Sequence, residues 1–337
     1  RQVLFMKNEV HPYTQWVDLA SRQLGGQVLQ SSDDFFAEME NLIKPEAPVF
    51  IDGKYTDRGK WMDGWESRRK REEGHDWAIL RLGAAGYIVG FNVCTRFFAG
   101  NAPKQISIEA CYSAETPNAD TEWTMLIEQL DVQPDSDNFI DVGHGADSIW
   151  SHLRLNIFPD GGVARLRVYG KAVLNKDWLL PNEPVDLAAV SNGARPLMCS
   201  DMFFSSMNNL LMPGRGVNMG DGWETKRRRG GRETDWIIIA LAAPGTLHKV
   251  CVDTAYFKGN FPHSFTLDAL YMPSGEVHPD SAWQPVIERQ LLSADSEHFY
   301  RNEVINTEQV FTHIRLSIYP DGGVSRLRVI GYPVSEE

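Results

Sequence analysis

The sequence predicts an all-β protein built from two tandem jelly-roll β-sandwich domains that arose by internal duplication. Three observations carry this. The stretch "RLNIFPDGGVARLRVYG" (Arg154 to Gly170) returns as "RLSIYPDGGVSRLRVIG" (Arg315 to Gly331), with 13 of 17 positions identical. Apolar and polar residues alternate with period two through most of the ordered-looking segments. Helix-like segments are few and short, and the turns are rich in Gly and Pro.

The repeat extends far beyond that hairpin. Asp18 to Pro45 aligns with Asp186 to Pro213, "DGWESRRKR" from Asp63 with "DGWETKRRR" from Asp221, and "FFAGNAP" from Phe97 with "YFKGNFP" from Tyr256. The first copy carries extra residues around "FIDGKYTDRG". The expected domains are residues 17–172 and 185–334, joined by a Pro-bearing linker at 173–184. A period this long is a domain duplication and not a solenoid.

Each element follows from local chemistry. Leu153, Leu155 and Ile157 alternate with Arg154 and Asn156, and Leu166 and Val168 alternate with Arg165 and Arg167, as in half-buried strands. Between them "PDGG" is turn chemistry: Pro presets φ, Asp bonds its own backbone and Gly supplies positive φ. Ile106, Ile108 and Ala110 alternate with Ser107 and Glu109. "WAILRL" and "WIIIAL" read as more fully buried strands. Only "SDDFFAEMENLI" and "SDMFFSSMNNLL" look helical, each a short turn capped by Ser32 or Asp33 and by Ser200 or Asp201.

Totals bound the function. The chain has 337 residues, a net charge of −12 and a pI near 5.3, with 42% hydrophobic and 23% charged residues. That composition is globular. An acidic chain repels nucleic-acid backbones and anionic membranes, so neither partner is expected. No apolar run approaches the roughly 18 residues that span a bilayer. The opening stretch shows no cleavable apolar core. Cys94, Cys111, Cys199 and Cys251 form no CxxC pair and do not recur between copies, which suits a reducing, cytoplasmic compartment.

The chemistry sits in a charged motif shared by both copies. Asp-Gly-Trp-Glu leads into a basic run, then Asp-Trp opens a strand: Glu66, Arg69 and Asp76 in the first copy, Glu224, Arg227 and Asp235 in the second. Such groups are seldom buried unless paired. A basic run flanked by Trp and carboxylates reads as a pocket lip for a small polar anion. Plainer readings stand beside it. "RRKR" (Arg68 to Arg71) and "KRRR" (Lys226 to Arg229) resemble nucleic-acid patches, against which Glu72, Glu73 and Glu233 argue, or edge charges that block aggregation. Trp65, Trp77, Trp223 and Trp236 are by default core aromatics. Gly100-Asn101 and Gly259-Asn260 are by default tight turns. His152 and His313 suit a shared structural hydrogen bond. His75 faces Thr234 in the other copy, as a residue working in one site only would. With no HExxH, HxH or Cys/His cluster, no metal or other cofactor is expected.

At these residues the sequence resembles the allantoicase family, over nearly the whole chain. "LGGQVLQSSDDFFAEMENLI", "WMDGWESRRKREEGHDWAILRLG", "FFAGNAPKQISIEA" and both "PDGG" hairpins carry the likeness. It implies two jelly-roll repeats of galactose-binding-like type, hydrolysis of allantoate to ureidoglycolate and urea in purine breakdown, and a soluble homo-oligomer. Allantoate is a small carboxylate with two ureido groups on one carbon. Arg68 or Arg69 would clamp its carboxylate. A Trp face (Trp65, or Trp223 in the second copy) or the Asn101 and Asn260 turns would hold a ureido group, with His75 and Arg227 as further binding candidates. Glu66 is assigned as general base and Asp76 as its orienter or acid partner. Glu224 and Asp235 are a second site or a relic. The competing class is a tandem carbohydrate-binding module, since a fold does not fix function; a catalytically dead scaffold is the third.

Overall fold

The structure, a computed structural model, describes residues 12–228 and 234–334. Arg229 and Glu233, read above as part of the basic run and its acidic neighbours, and the chain's opening residues fall outside the described residues. The chain divides into two compact units, with the division between Val173 and Leu174.

Each unit is a jelly-roll β-sandwich organised around one 19-residue strand. In the first unit that strand is Asp76–Cys94. Its first part pairs antiparallel with Trp150–Phe158 and Gln27–Ser31. Its second part pairs with Arg165–Ala172 and Asp137–Asp141. Trp150–Phe158 pairs onward to Gln105–Cys111, which pairs with Thr124–Asp131. The second unit repeats this order, with Asp235–Asp253 as the long strand.

The sequence marks "WAILRL" as a short buried strand, yet the strand runs on through Gly83, Gly86 and Gly90. At Gly86 a side chain is excluded by contact: a Cβ there would lie 2.2 Å from the Lys171 carbonyl oxygen. That glycine admits a neighbouring backbone instead of breaking the strand.

The core fits the alternation read from the sequence. Leu153, Leu155, Ile157, Leu166 and Val168 are fully buried, as are Leu316, Ile318, Leu327 and Val329 of the second unit. The four cysteines are free thiols, two buried and two partly exposed. No helix among the described residues is long and apolar enough to cross a membrane.

The expected helical turns shrink to 3-10 segments at Met39–Ile43 and Met207–Asn209. Neither is capped as predicted. Glu38 precedes the first with no side-chain cap, and Ser206 caps the second. Ser32 and Ser200 bond the distant Asp76 and Asp235, while Asp33 and Asp201 accept both from the nearby Phe35 and Phe203 N–H groups and from the distant Arg68 and Lys226 N–H groups.

Candidate active site

The PDGG hairpin and the Asp-Gly-Trp-Glu motif form one device. Trp65–Glu66 is a two-residue strand paired with Gly162–Val163, and Ala37 bridges Glu66 from the other side. Arg165, 1% exposed, reaches back to Asp63: its Nη2 donates to Asp63 Oδ2 at 2.8 Å and its Nη1 to the Asp63 carbonyl at 3.1 Å. Desolvation alone would raise the Asp63 carboxyl, but the bonds from Arg165 and Val49 hold it below the usual range. Gly64 must be glycine, since a Cβ would sit 2.6 Å from the Val163 carbonyl oxygen. Trp65 is fully buried and its indole N–H donates to the Asp33 carbonyl at 2.8 Å. The motif's first three residues are thus anchors, and what they anchor is Glu66.

From Trp65 onward the side chains alternate: Trp65 in, Glu66 outward, Ser67 in, Arg68 outward. Glu66 is half-buried at the end of the two-residue strand, and Arg68 just beyond it is exposed. Asn101 Nδ2 donates to Glu66 Oε1 at 2.7 Å, while the Asn101 carbonyl accepts from Gly162 N–H at 2.7 Å. Burial raises the Glu66 carboxyl, and the Asn101 bond partly offsets it. Arg68 Nε donates to Asp33 Oδ2 at 2.7 Å, and its backbone N–H to Asp33 Oδ1 at 2.9 Å. Its guanidinium lies 5.2 Å from the centre of the Phe35 ring. This cluster holds one proton-transfer candidate, one amide bonded to it, and a guanidinium beside an aromatic face.

Other predicted residues stand elsewhere. Asp76 is buried and accepts from Ser32 Oγ and Lys70 Nζ, both at 2.9 Å. It pins the basic loop to the strand and makes no bond to Glu66; Asn101 is the group that touches Glu66. Asp160 of the hairpin fixes the same loop, accepting from Lys70 N–H at 2.7 Å. Trp65 and Trp223, fully buried, offer no face to a ureido group. His75 is exposed, pairs with Asn156 Oδ1 at 3.2 Å through Nε2 and packs on Phe158. Arg69 and Arg227 are exposed, with no polar partner among the described residues. His152 and His313 bond the hydroxyls of Ser151 and Thr312 through Nδ1. Sequence reasoning missed Asp33, Ser32, Lys70 and Asp160. All four recur as Asp201, Ser200, Arg228 and Asp321, and that recurrence was the available signal.

The second unit rebuilds the same frame. Arg326 pairs with Asp221 at 3.0 Å, Trp223 N–H donates to the Asp201 carbonyl at 2.9 Å, and Asp235 accepts from Ser200 Oγ at 2.6 Å and from Arg228 Nε at 2.9 Å. Asn260 Nδ2 donates to Glu224 Oε1, and burial raises the Glu224 carboxyl, with that bond opposing. Lys226 stands where the first unit has Arg68. Among the described residues no group of three or more His, Cys, Asp or Glu side chains gathers as a metal site would.

The family model for the allantoicase repeat matches this chain twice, over residues 17–173 and 185–334. A probable allantoicase of Photobacterium profundum is 48% identical over 327 residues, which is 95% of this chain and 97% of the relative. One from Pseudomonas fluorescens (strain Pf0-1) is 46% identical over 333 residues, 97% of this chain and 99% of the relative. Among solved structures, allantoicase from Saccharomyces cerevisiae superimposes with a TM-score of 0.80 at 38% identity, covering 98% of this chain and 95% of that one. With both repeats matched and the likeness running nearly end to end, the chain belongs to the allantoicase family.

Proposed function

We propose that the chain hydrolyses allantoate to ureidoglycolate and urea, with Glu66 moving the proton. The enzyme class, a hydrolase of carbon–nitrogen bonds in linear amidines, follows from the family. In the step, a water oxygen bonds to the methine carbon and the bond from that carbon to one ureido nitrogen breaks. Glu66 takes the water proton and returns it to the departing nitrogen, which leaves as urea. One carboxylate therefore begins and ends ionised. A group that both accepts and donates works best when its pKa lies nearer neutrality than a free carboxyl's, the direction in which burial moves Glu66.

The observation that carries this is the Glu66–Asn101 pair, rebuilt as Glu224–Asn260. Asn101 fixes one carboxylate oxygen and leaves the other for the water. Asp76 and Asp235 act indirectly, by holding Lys70 and Arg228. Urea release by Glu66→Gln and Glu224→Gln tests the assignment: equal partial losses mean two working mouths, one silent variant means one, and two silent variants remove the assignment. A catalytically dead scaffold would release no urea as wild type.

We further propose the domain limits 17–172 and 185–334 with 173–184 as linker, a cytoplasmic location, assembly into a homo-oligomer, and no nucleic-acid or membrane partner. Light scattering on the purified chain tests the assembly.

A further inference from the structure

The two mouths differ at their rims, and the difference is chemical. In the first unit the extra residues fold into a small hairpin, Tyr55–Thr56 paired with Gly59–Lys60. Its tip turns at Thr56, whose hydroxyl accepts from Arg58 N–H at 3.2 Å. Arg58 then extends to Phe35: Nη1 donates to the Phe35 carbonyl at 3.2 Å, and the guanidinium carbon lies 5.4 Å from the ring centre. Phe35 thus carries two guanidiniums, Arg58 and Arg68. The hairpin's other end is tied down as well. Lys60 lies over Phe50, and Phe50 stacks on Phe97, which belongs to the loop that carries Asn101. The second unit has no counterpart among the described residues: Phe203, in the place of Phe35, carries only Lys226 there, at 5.5 Å.

Resting on the reading of Glu66 above, the geometry points to Arg58 as the residue of the first mouth that grips the substrate's carboxylate, and so selects a diureide acid over a neutral diureide. Arg68 has its Nε and Nη2 engaged with Asp33. Arg58 is exposed and gives one N–H to a neutral carbonyl, with no carboxylate paired to it among the described residues, so most of its five donors are uncommitted. A planar fork with free donors, stiffened by an aromatic face and a backbone carbonyl, suits bidentate binding of a carboxylate. The lysine on Phe203 presents a point charge without that fork. The first mouth is accordingly the tighter one for the substrate.

The test measures steady-state urea release by Arg58→Gln in a Glu224→Gln background, so that only the first mouth turns over. The expected result is a KM for allantoate raised about 10- to 100-fold with kcat little changed, the signature of a lost charge-assisted contact made equally in ground and transition states. Arg58→Lys should recover part of the loss. Inhibition by methylenediurea, which has two ureido groups and no carboxylate, should be unchanged. Lys54→Gln, which removes the same charge from the same hairpin where it lies over Trp61, should leave KM in place. An unchanged KM in Arg58→Gln overturns the proposal. So does a matching loss of methylenediurea inhibition, which would mark a structural hairpin, or an equal rise in Lys54→Gln, which would mark bulk electrostatics. A Glu224→Gln parent without activity would instead strike the Glu66 reading itself.

Discussion

The two repeats keep the same frame and diverge at the rim. Both bury a tryptophan beside a glutamate, Glu66 or Glu224, pin the preceding aspartate with a hairpin arginine, and bond the glutamate with an asparagine. Around that frame, Lys70 of the first repeat becomes Arg228, Arg68 becomes Lys226, and the Arg58 hairpin is missing from the second. The buried partners are held in place by each other: an unpaired charge inside costs several kcal/mol. Arg68 and Lys226 face water, where exchanging one cation for another costs little, and Arg228 keeps the ion pair that Lys70 makes with the buried aspartate. Duplication therefore left the buried frame constrained and the rim free to drift.

The comparison can be broken in four ways. The largest effect is expected when both mouths are disabled together: Glu66→Gln with Glu224→Gln should slow urea release by roughly a hundredfold to ten-thousandfold. Residual activity near wild type would mean that the shared glutamates are part of the frame only.

Next is the frame itself. Arg165→Met strands the buried Asp63 carboxylate and should destabilise the first repeat by about 3–5 kcal/mol in denaturant unfolding. Asp221 is the more exposed of the two aspartates, 11% against 6% for its side chain, so Arg326→Met should cost less. A loss no larger than that of exposed Arg68→Gln would show that these pairs do not hold the motif.

The third probe is pH. As the proposed base, Glu66 would act above its pKa, which burial raises and the Asn101 bond lowers. Asn101→Ala removes the lowering influence, so the acid limb of the kcat/KM profile should move to higher pH. Asn260→Ala should shift the limb in the same direction to the extent that the second mouth turns over. A limb that moves to lower pH, or not at all in both variants, contradicts the pairing.

The smallest effect concerns stability. Burial lowers the pKa of His152 and of His313, with Arg81 adding to the effect on His152 alone. Below pH about 6.5 the unfolded chain binds the proton more readily than the fold does, so stability present above that pH is lost as the pH falls. His152→Gln and His313→Gln should each flatten that loss in thermal melts. Melts of both variants that track wild type between pH 7 and 5.5 would refute it.

Much of this was legible in the sequence, for reasons that differ by element. The strands at 153–157 and 166–168 announce themselves because each has one face in the core, and alternation records that directly. The duplication announces itself through identity. Reading Ser32 and Asp33 as helix caps asks a local pattern to explain residues whose partners lie far along the chain: Asp76 and Trp77 for the serine, Arg68 for the aspartate. Asp76, read from the sequence as a catalytic partner, is bonded in the structure by Ser32 and Lys70. Sequence does not distinguish a carboxylate aimed at solvent from one saturated by Ser32 and Lys70.

The sequence by itself determined the class of fold, its repetition, the acidic net charge and the motif that carries Glu66 and Glu224, since each is written in local pattern or in copying. Only the tertiary structure decided which carboxylate faces outward, which amide orients it and which arginine stands free at its rim. Those outcomes depend on contacts such as Glu66 with Asn101 and Arg58 with Phe35, made between segments that meet only when the sandwich closes.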